Sequence, residues 1–316
     1  MKKYICIIAA AILLLTSCNI KKADKADDAS LSVVATIFPE YDWVREILGD
    51  NPSGVRLRML SDSGVDMHSY QPSPADILDI SDCDIFIYVG GESDKWVDDV
   101  LKTPENENMT VIKLLDIMGD NAKTEEYVEG MEHDEEETGY DEHVWLSLKN
   151  SVIFCDAIAD ALIAADPSNA DTYTENAASY TEKLRLLDDQ YEKVVSEANV
   201  KTLLFGDRFP FRYMTDDYAI KYYAAFAGCE AETEASFETI TFLANKMDEL
   251  SLSSIMTLEN SDQRIARTII ENTHDKNQDI LELDSMQSTT TAAAEGGASY
   301  LAIMQSNLDV LQKALQ

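Results

Sequence analysis

The chain of 316 residues has few of several residue types, and each shortage narrows what it can be. Lysine and arginine number 25 against 59 aspartate and glutamate, a formal charge of −34. Such a surface repels nucleic acid and anionic lipid, and it attracts cations only diffusely, without defining a site. Five cysteines are present, with no CxxC spacing, so neither a redox pair nor a thiolate zinc module is signalled. Cys83, Cys155 and Cys229 lie far apart, allow at most one disulfide, and read as small buried residues. There are four histidines, no HExxH and no evident nucleophile–histidine pair, which argues against a metallohydrolase with an open, water-bearing site. Beyond the amino terminus, no run is long and apolar enough to cross a membrane.

What is there begins with a leader. Lys2 and Lys3 precede an apolar run from Tyr4 to Leu15, of signal-peptide length, and Leu15-Thr16-Ser17-Cys18 has the form of a lipobox. Residues 1–17 are therefore expected to be removed and Cys18 to be lipidated, which anchors the protein to the outer face of the cell membrane. Residues 18–30 are polar and aperiodic, a flexible tether. Removing residues 1–17 leaves 299 residues (316 − 17) and, with Lys2 and Lys3 gone, a charge of −36. That length supports two domains or one large one.

Strand and helix patterns then alternate. Leu31–Phe38, Val55–Leu60, Asp84–Val89 and Val111–Leu115 read as strands, with apolar-periodic helices between them. After a helix from about Leu148 to Ala165, Asp166-Pro167 opens the most regular stretch of the chain. Apolar or aromatic residues fall at Ala170, Tyr173, Ala177, Tyr180, Leu184, Leu187, Tyr191, Val194 and Ala198, at steps of three and four. The spacing predicts one helix over 167–198, with Asp166 as N-cap and Pro167 in first position. A coiled-coil seam would carry a similar stripe, but alanine and tyrosine are poor core residues for a dimer zipper, and an intramolecular helix is favoured. Strands follow at Thr202–Phe205, Lys221–Ala227, Ser254–Leu258 and Asp279–Leu283. The fold class is α/β: an N-terminal lobe over 31–165, a linking helix over 166–199 and a C-terminal lobe over 200–316, each lobe with a mainly parallel sheet. Residues 120–142 interrupt the pattern as an acidic loop expected to be mobile.

In parallel sheets, sites lie beyond the carboxyl ends of strands. His68 is there, in Asp66-Met67-His68-Ser69-Tyr70-Gln71-Pro72-Ser73-Pro74, a stiff loop ahead of the helix that Asp76 opens. His143, Asp207 and Asp284 occupy comparable places. Taken singly, His68 could be a surface residue in a proline turn, Asp207 a helix cap and Asp284 a turn residue. Together, two from each half, they offer two imidazoles and two carboxylates to a cation in the cleft between the lobes, a set that suits Zn²⁺ or Mn²⁺. His133, in the acidic loop, is as readily an incidental residue as an accessory metal collector. His274, at a helix end, reads as a surface residue favoured by the helix dipole.

Motifs along the whole mature chain carry a family resemblance: His68-Ser-Tyr-Gln-Pro-Ser-Pro-Ala-Asp76, Val89-Gly90-Gly91-Glu92 with Trp96, Asp141-Glu142-His143-Val144-Trp145-Leu146, Glu232-Thr-Glu234-Ala-Ser236, and the closing run from Tyr300 to Leu315. The chain resembles the zinc- and manganese-binding solute-binding lipoproteins of ABC importers. The resemblance implies two α/β lobes on a rigid helix, no enzymatic activity, capture of a divalent metal and delivery to a membrane permease, by a monomer. It assigns ligand roles to His68, His143 and Asp284. At the third ligand the sequence departs: counting back from Tyr213 reaches Arg208, which cannot bind a cation, and the neighbouring Asp207 is taken instead. Zinc is the first expectation. Manganese is the alternative, because two histidines with two carboxylates resemble the manganese members, while the acidic loop with His133 resembles zinc members. Relatives described as adhesins make a surface adhesion lipoprotein a further alternative, although no partner face is evident.

Overall fold

The computed structural model describes residues 30–49, 54–132, 139–229 and 234–316. The expected leader, Cys18, most of the tether and His133 lie outside the described residues.

Two parallel four-stranded sheets organise the chain. The first contains β1 (Leu31–Ala35), β2 (Val55–Met59), β3 (Ile85–Tyr88) and β4 (Thr110–Lys113), in the order β2-β1-β3-β4. The second contains β5 (Thr202–Phe209), β6 (Lys221–Ala227), β7 (Ser254–Leu258) and β8 (Asp279–Leu283), in the order β6-β5-β7-β8. The same order thus occurs twice, and in each lobe the chain switches direction beside the first strand, where such sheets leave a crevice. Parallel neighbours need crossover helices. In the first lobe these are α1 (Phe38–Leu48), α2 (Pro74–Asp82) and α3 (Val97–Val100), with α4 (Leu114–Met118) and α5 (Leu148–Ala165) following β4. After the linking helix α6 (Ala170–Glu197), the second lobe uses α7 (Arg212–Asp217), α8 (Phe237–Leu250) and α9 (Arg264–Glu271), and ends with α10 (Thr291–Glu295) and α11 (Tyr300–Ala314). Covered on both faces, the central strands of the first sheet are largely apolar: Val33, Val34 and Ala35 are all buried, as are the four residues of β3.

The stripe on α6 faces inward as its spacing requires, with Tyr173, Ala177, Tyr180, Leu184, Leu187 and Tyr191 buried. Its 28 residues make a rod of about 42 Å at ~1.5 Å per residue. Asn176 donates to the Ile47 carbonyl in α1 at 3.0 Å, and Tyr191 donates to the Met304 carbonyl in α11 at 2.6 Å, so the helix is fastened to both lobes. The start of the helix differs from expectation. Asp166 accepts from Ser168 (2.5 Å), Asn169 (2.6 Å) and Tyr173 (2.9 Å), which holds residues 167–169 in a 3₁₀ turn and delays α6 to Ala170.

Two further readings are corrected. Strand β5 does not stop at Phe205 but continues to Phe209 through a bulge, since Phe205 pairs with Ala224 and Arg208 with Phe226. The described parts of the acidic loop are docked rather than free. Glu132 donates its N–H to the Ala225 carbonyl (2.9 Å), Glu126 accepts from Tyr222 and pairs with Arg212 (both 3.1 Å), and Glu125 accepts the Cys229 N–H (2.8 Å). The second lobe supplies the partners that a charge run alone does not reveal.

Candidate metal site

His68 sits in a single 3₁₀ turn, Met67–Ser69, beyond the end of β2. Asp66 caps this turn by accepting the His68 N–H at 3.0 Å. Pro72 and Pro74 prevent any helix from running through, and α2 starts afresh under a capping box of Ser73 and Asp76. His143 follows Asp141-Glu142 and is fully buried. The Asp141 carboxylate accepts both the His143 N–H and its Nδ1–H, each at 2.9 Å. These bonds place the proton on Nδ1 and leave Nε2 as a lone-pair donor. The two Nε2 atoms lie 3.2 Å apart.

Support for His68 comes from the glycines after β3. Gly91 has φ +88°, and a Cβ there would fall 2.3 Å from a Glu142 carboxylate oxygen. Only glycine allows the approach. Glu142 in turn accepts the Ser93 N–H at 2.9 Å, and Ser93 Oγ meets His68 Nδ1 at 2.7 Å. Glu142 Oε2 lies 3.7 Å from the same Nδ1. With its Nδ1 proton directed at Ser93 and Glu142, His68 also turns an Nε2 lone pair toward His143, and a cation satisfies both nitrogens at once.

The electrostatics favour unprotonated His68. Burial, then the neighbouring His143 and the Arg208 guanidinium, push its pKa down to about 3. His143 is raised: burial works against its charged form, but Asp141, Glu142 and Glu125 outweigh it. Asp66 is lowered, because Arg208 and His68 outweigh the effect of its own burial.

The opposite wall comes from the second lobe. Together the walls enclose a cleft of about 510 Å³ lined by Asp66 and His68 on one side and by Asp207, Arg208, Cys229 and Glu259 among others on the second. The predicted carboxylates are placed differently from the histidines. Asp207 uses one oxygen for the Arg208 N–H (2.9 Å) and the other for the Leu258 N–H (3.3 Å), which holds the bulge of β5 against β7. Asp284 accepts the Met286 N–H at 2.7 Å. Among the described residues, the one group of three metal-competent side chains whose ligand atoms lie within 4.8 Å of one another is His68, His143 and Cys229. The structure brings the two histidines together and leaves Asp207 and Asp284 outside that group. Arg208 reaches across the cleft to Asp66 at 2.5 Å.

Sequence reasoning missed Cys229, Glu259 and the supports Ser93, Asp141 and Glu142. Glu259 accepts from the Ser285 N–H (2.8 Å) and hydroxyl (2.7 Å), and burial, followed by the nearby Asp284, raises its pKa to about 7. The signal for Glu259 was its place directly after β7, where Asp207 and Asp284 were sought after their own strands. Cys83, Cys155 and Cys229 are all free thiols.

Comparison with known proteins identifies the family to which the chain belongs. A family model described as "ZnuA: Zinc-uptake complex component A periplasmic" matches residues 33–314. The zinc-binding lipoprotein AdcA of Streptococcus pneumoniae is 30% identical over 319 aligned residues, covering 99% of this chain and 61% of its own. The chain thus spans about three-fifths of that relative. The manganese ABC transporter substrate-binding lipoprotein PsaA of Streptococcus anginosus is 29% identical, with 98% and 97% covered. The crystal structure of the Zn(II)-bound ZnuA-like domain of Streptococcus pneumoniae AdcA superimposes with a TM-score of 0.70 at 27% identity, covering 90% of this chain and 98% of that one.

Proposed function

Because the chain belongs to the family of the zinc-uptake complex component A, we propose that it captures a divalent transition metal outside the membrane and delivers it to an ABC-type permease. The observation that carries this reading is the 3.2 Å approach of the His68 and His143 Nε2 atoms, each ring held through its Nδ1 by a separate acceptor. Two imidazoles in a buried setting suit Zn²⁺. Zinc is therefore the first cargo and manganese, carried by the relative PsaA, the second.

Residues His68 and His143 form the capturing pair. Asp284 is the carboxylate proposed to join them. Asp207 could serve as a ligand only by giving up two backbone hydrogen bonds. His133 is proposed as an accessory collector. The role is binding rather than catalysis: a carrier needs a closed shell that releases its ion, not an open position holding water. Protons compete with the metal for imidazole, so affinity falls as pH falls. Lipidation of Cys18 would keep the receptor beside its permease.

Calorimetric titration with Zn²⁺ and Mn²⁺ tests the reading. The expected result is saturation near one metal per chain, lost in the His68→Ala, His143→Ala double variant. Absence of saturable binding by the wild type, or unchanged affinity in the double variant, would sink it.

A further inference from the structure

Several observations converge on the carboxyl end of β6. Cys229 lines the cleft, and its Sγ belongs to the group with both histidines, all ligand atoms within 4.8 Å. The preceding residue makes this possible: a Cβ on Gly228 would lie 2.9 Å from His143 Cε1, 3.1 Å from its Nδ1 and 2.9 Å from the Phe209 carbonyl. Nothing larger than glycine lets β6 end against that imidazole. The Cys229 N–H is tied to Glu125 Oε1 at 2.8 Å, which fixes the thiol-bearing residue from its other side. Meanwhile the β5 position opposite is taken by Arg208, whose guanidinium is turned to Asp66, and Asp207 is committed to backbone.

We infer that Cys229 is the third metal ligand, so that two imidazole nitrogens and one thiolate hold the cargo together with the Asp284 carboxylate proposed above as the fourth. The inference rests on the proposed capture role and deepens it, because it names the class of ion. A nitrogen–sulfur set selects a borderline-soft ion such as Zn²⁺ over Mn²⁺, which prefers oxygen. In the metal-free protein, burial and then Glu125, Asp141 and Glu142 hold the thiol well above its usual range, so it is protonated. On binding, the S–H proton leaves to solvent and the sulfur–metal bond forms, with the charge of the ion replacing that of the proton. Arg208 contributes no ligand. It pairs with Asp66 and thereby holds the His68 turn against the second lobe.

The test uses the full chain, reduced, with Co²⁺ as a spectroscopic probe and Zn²⁺ for affinity. Wild type is expected to show a thiolate-to-cobalt charge-transfer band, absent in Cys229→Ser although that variant still binds Co²⁺ through its histidines. Zn²⁺ affinity should fall in Cys229→Ser by at least about tenfold, the lower end of what even outer-shell changes cost, with a smaller change for Mn²⁺. X-ray absorption at the zinc edge of the wild type, which needs no variant, should show a sulfur scatterer at about 2.3 Å. Saturable Co²⁺ binding without the band, or a zinc shell of nitrogen and oxygen alone, overturns the assignment of Cys229 and leaves metal capture standing. Failure of the wild type to bind Co²⁺ or Zn²⁺ at all overturns both.

Discussion

The two walls of the cleft are prepared in opposite ways. The first lobe presents two imidazoles whose outer nitrogens are occupied by Asp141 and Ser93 and whose inner nitrogens converge. The second lobe presents charged groups that are already spent: Asp207 on backbone, Arg208 on Asp66, Glu259 on Ser285. The first wall turns two free ring nitrogens to the cleft, whereas the charged groups of the second hold that wall and its neighbour in place and leave Cys229 as the side chain it brings to the histidines. The difference teaches that residue type alone does not make a ligand. A carboxylate with both oxygens on backbone N–H groups, as in Asp207, is part of the fold, whereas an imidazole fixed through one nitrogen offers the other.

The most damaging way to break this contrast is to remove the fixed imidazole. His143→Ala should lower Zn²⁺ affinity beyond the roughly 10–100-fold that outer-shell changes cost, as read by calorimetry. Asp141→Asn, which leaves the ligand but weakens its orientation, should fall within that range.

Next in size is an effect on stability from the first lobe. Glu40 is buried, and its Oε2 accepts from the Thr36 N–H (2.8 Å), the Thr36 hydroxyl (3.0 Å) and the Ile37 N–H (3.3 Å). Burial, followed by the charge of Asp94, raises its pKa from 4.5 to about 8. The folded state therefore holds this proton more tightly than the unfolded chain, and its stabilising contribution is full below pH 4.5 and lost as pH rises through about 8. Urea unfolding across that window should show stability falling with pH, with a flatter profile in Glu40→Gln. Equal slopes in the two proteins would refute the assignment.

Cutting the cross-cleft pair should cost less. Arg208→Met removes a partly exposed ion pair with Asp66, and unfolding free energy should drop by about 1–2 kcal/mol, measured by denaturant titration, while one-metal stoichiometry is retained. The smallest effect on binding belongs to Asp207→Asn. It should cost about 1 kcal/mol of stability through the bulge and shift Zn²⁺ affinity within about threefold, under ~0.7 kcal/mol. A larger loss of affinity would return Asp207 to the ligand shell.

How far each feature could be read from the chain follows from how local its cause is. The stripe on α6 repeats at steps of three and four, and burial of Tyr173 through Tyr191 follows from that spacing alone. The lobes were equally legible, since alternating apolar strands and amphipathic helices permit few arrangements. His68 could be singled out because it lies in a short, stiff segment beyond a strand, and His143 because it stands just ahead of a helix after the acidic loop. The bulge at Asp207 depends on β6 and β7, which are distant in sequence, so the strand seemed to end at Phe205. Cys229 gave no sign in its own neighbourhood. Its role comes from the room that Gly228 leaves beside His143, a contact between lobes that no local pattern encodes. The acidic loop misled for the same reason, because Arg212, Tyr222 and the Cys229 N–H, which receive it, lie in the other lobe.

The most direct test of the central claim is anomalous diffraction at the zinc edge from crystals of the full chain grown with Zn²⁺. The account predicts a single strong peak in the cleft, bonded to His68 Nε2, His143 Nε2 and Cys229 Sγ. A peak away from the two histidines, or none at full zinc saturation of the solution, would contradict it.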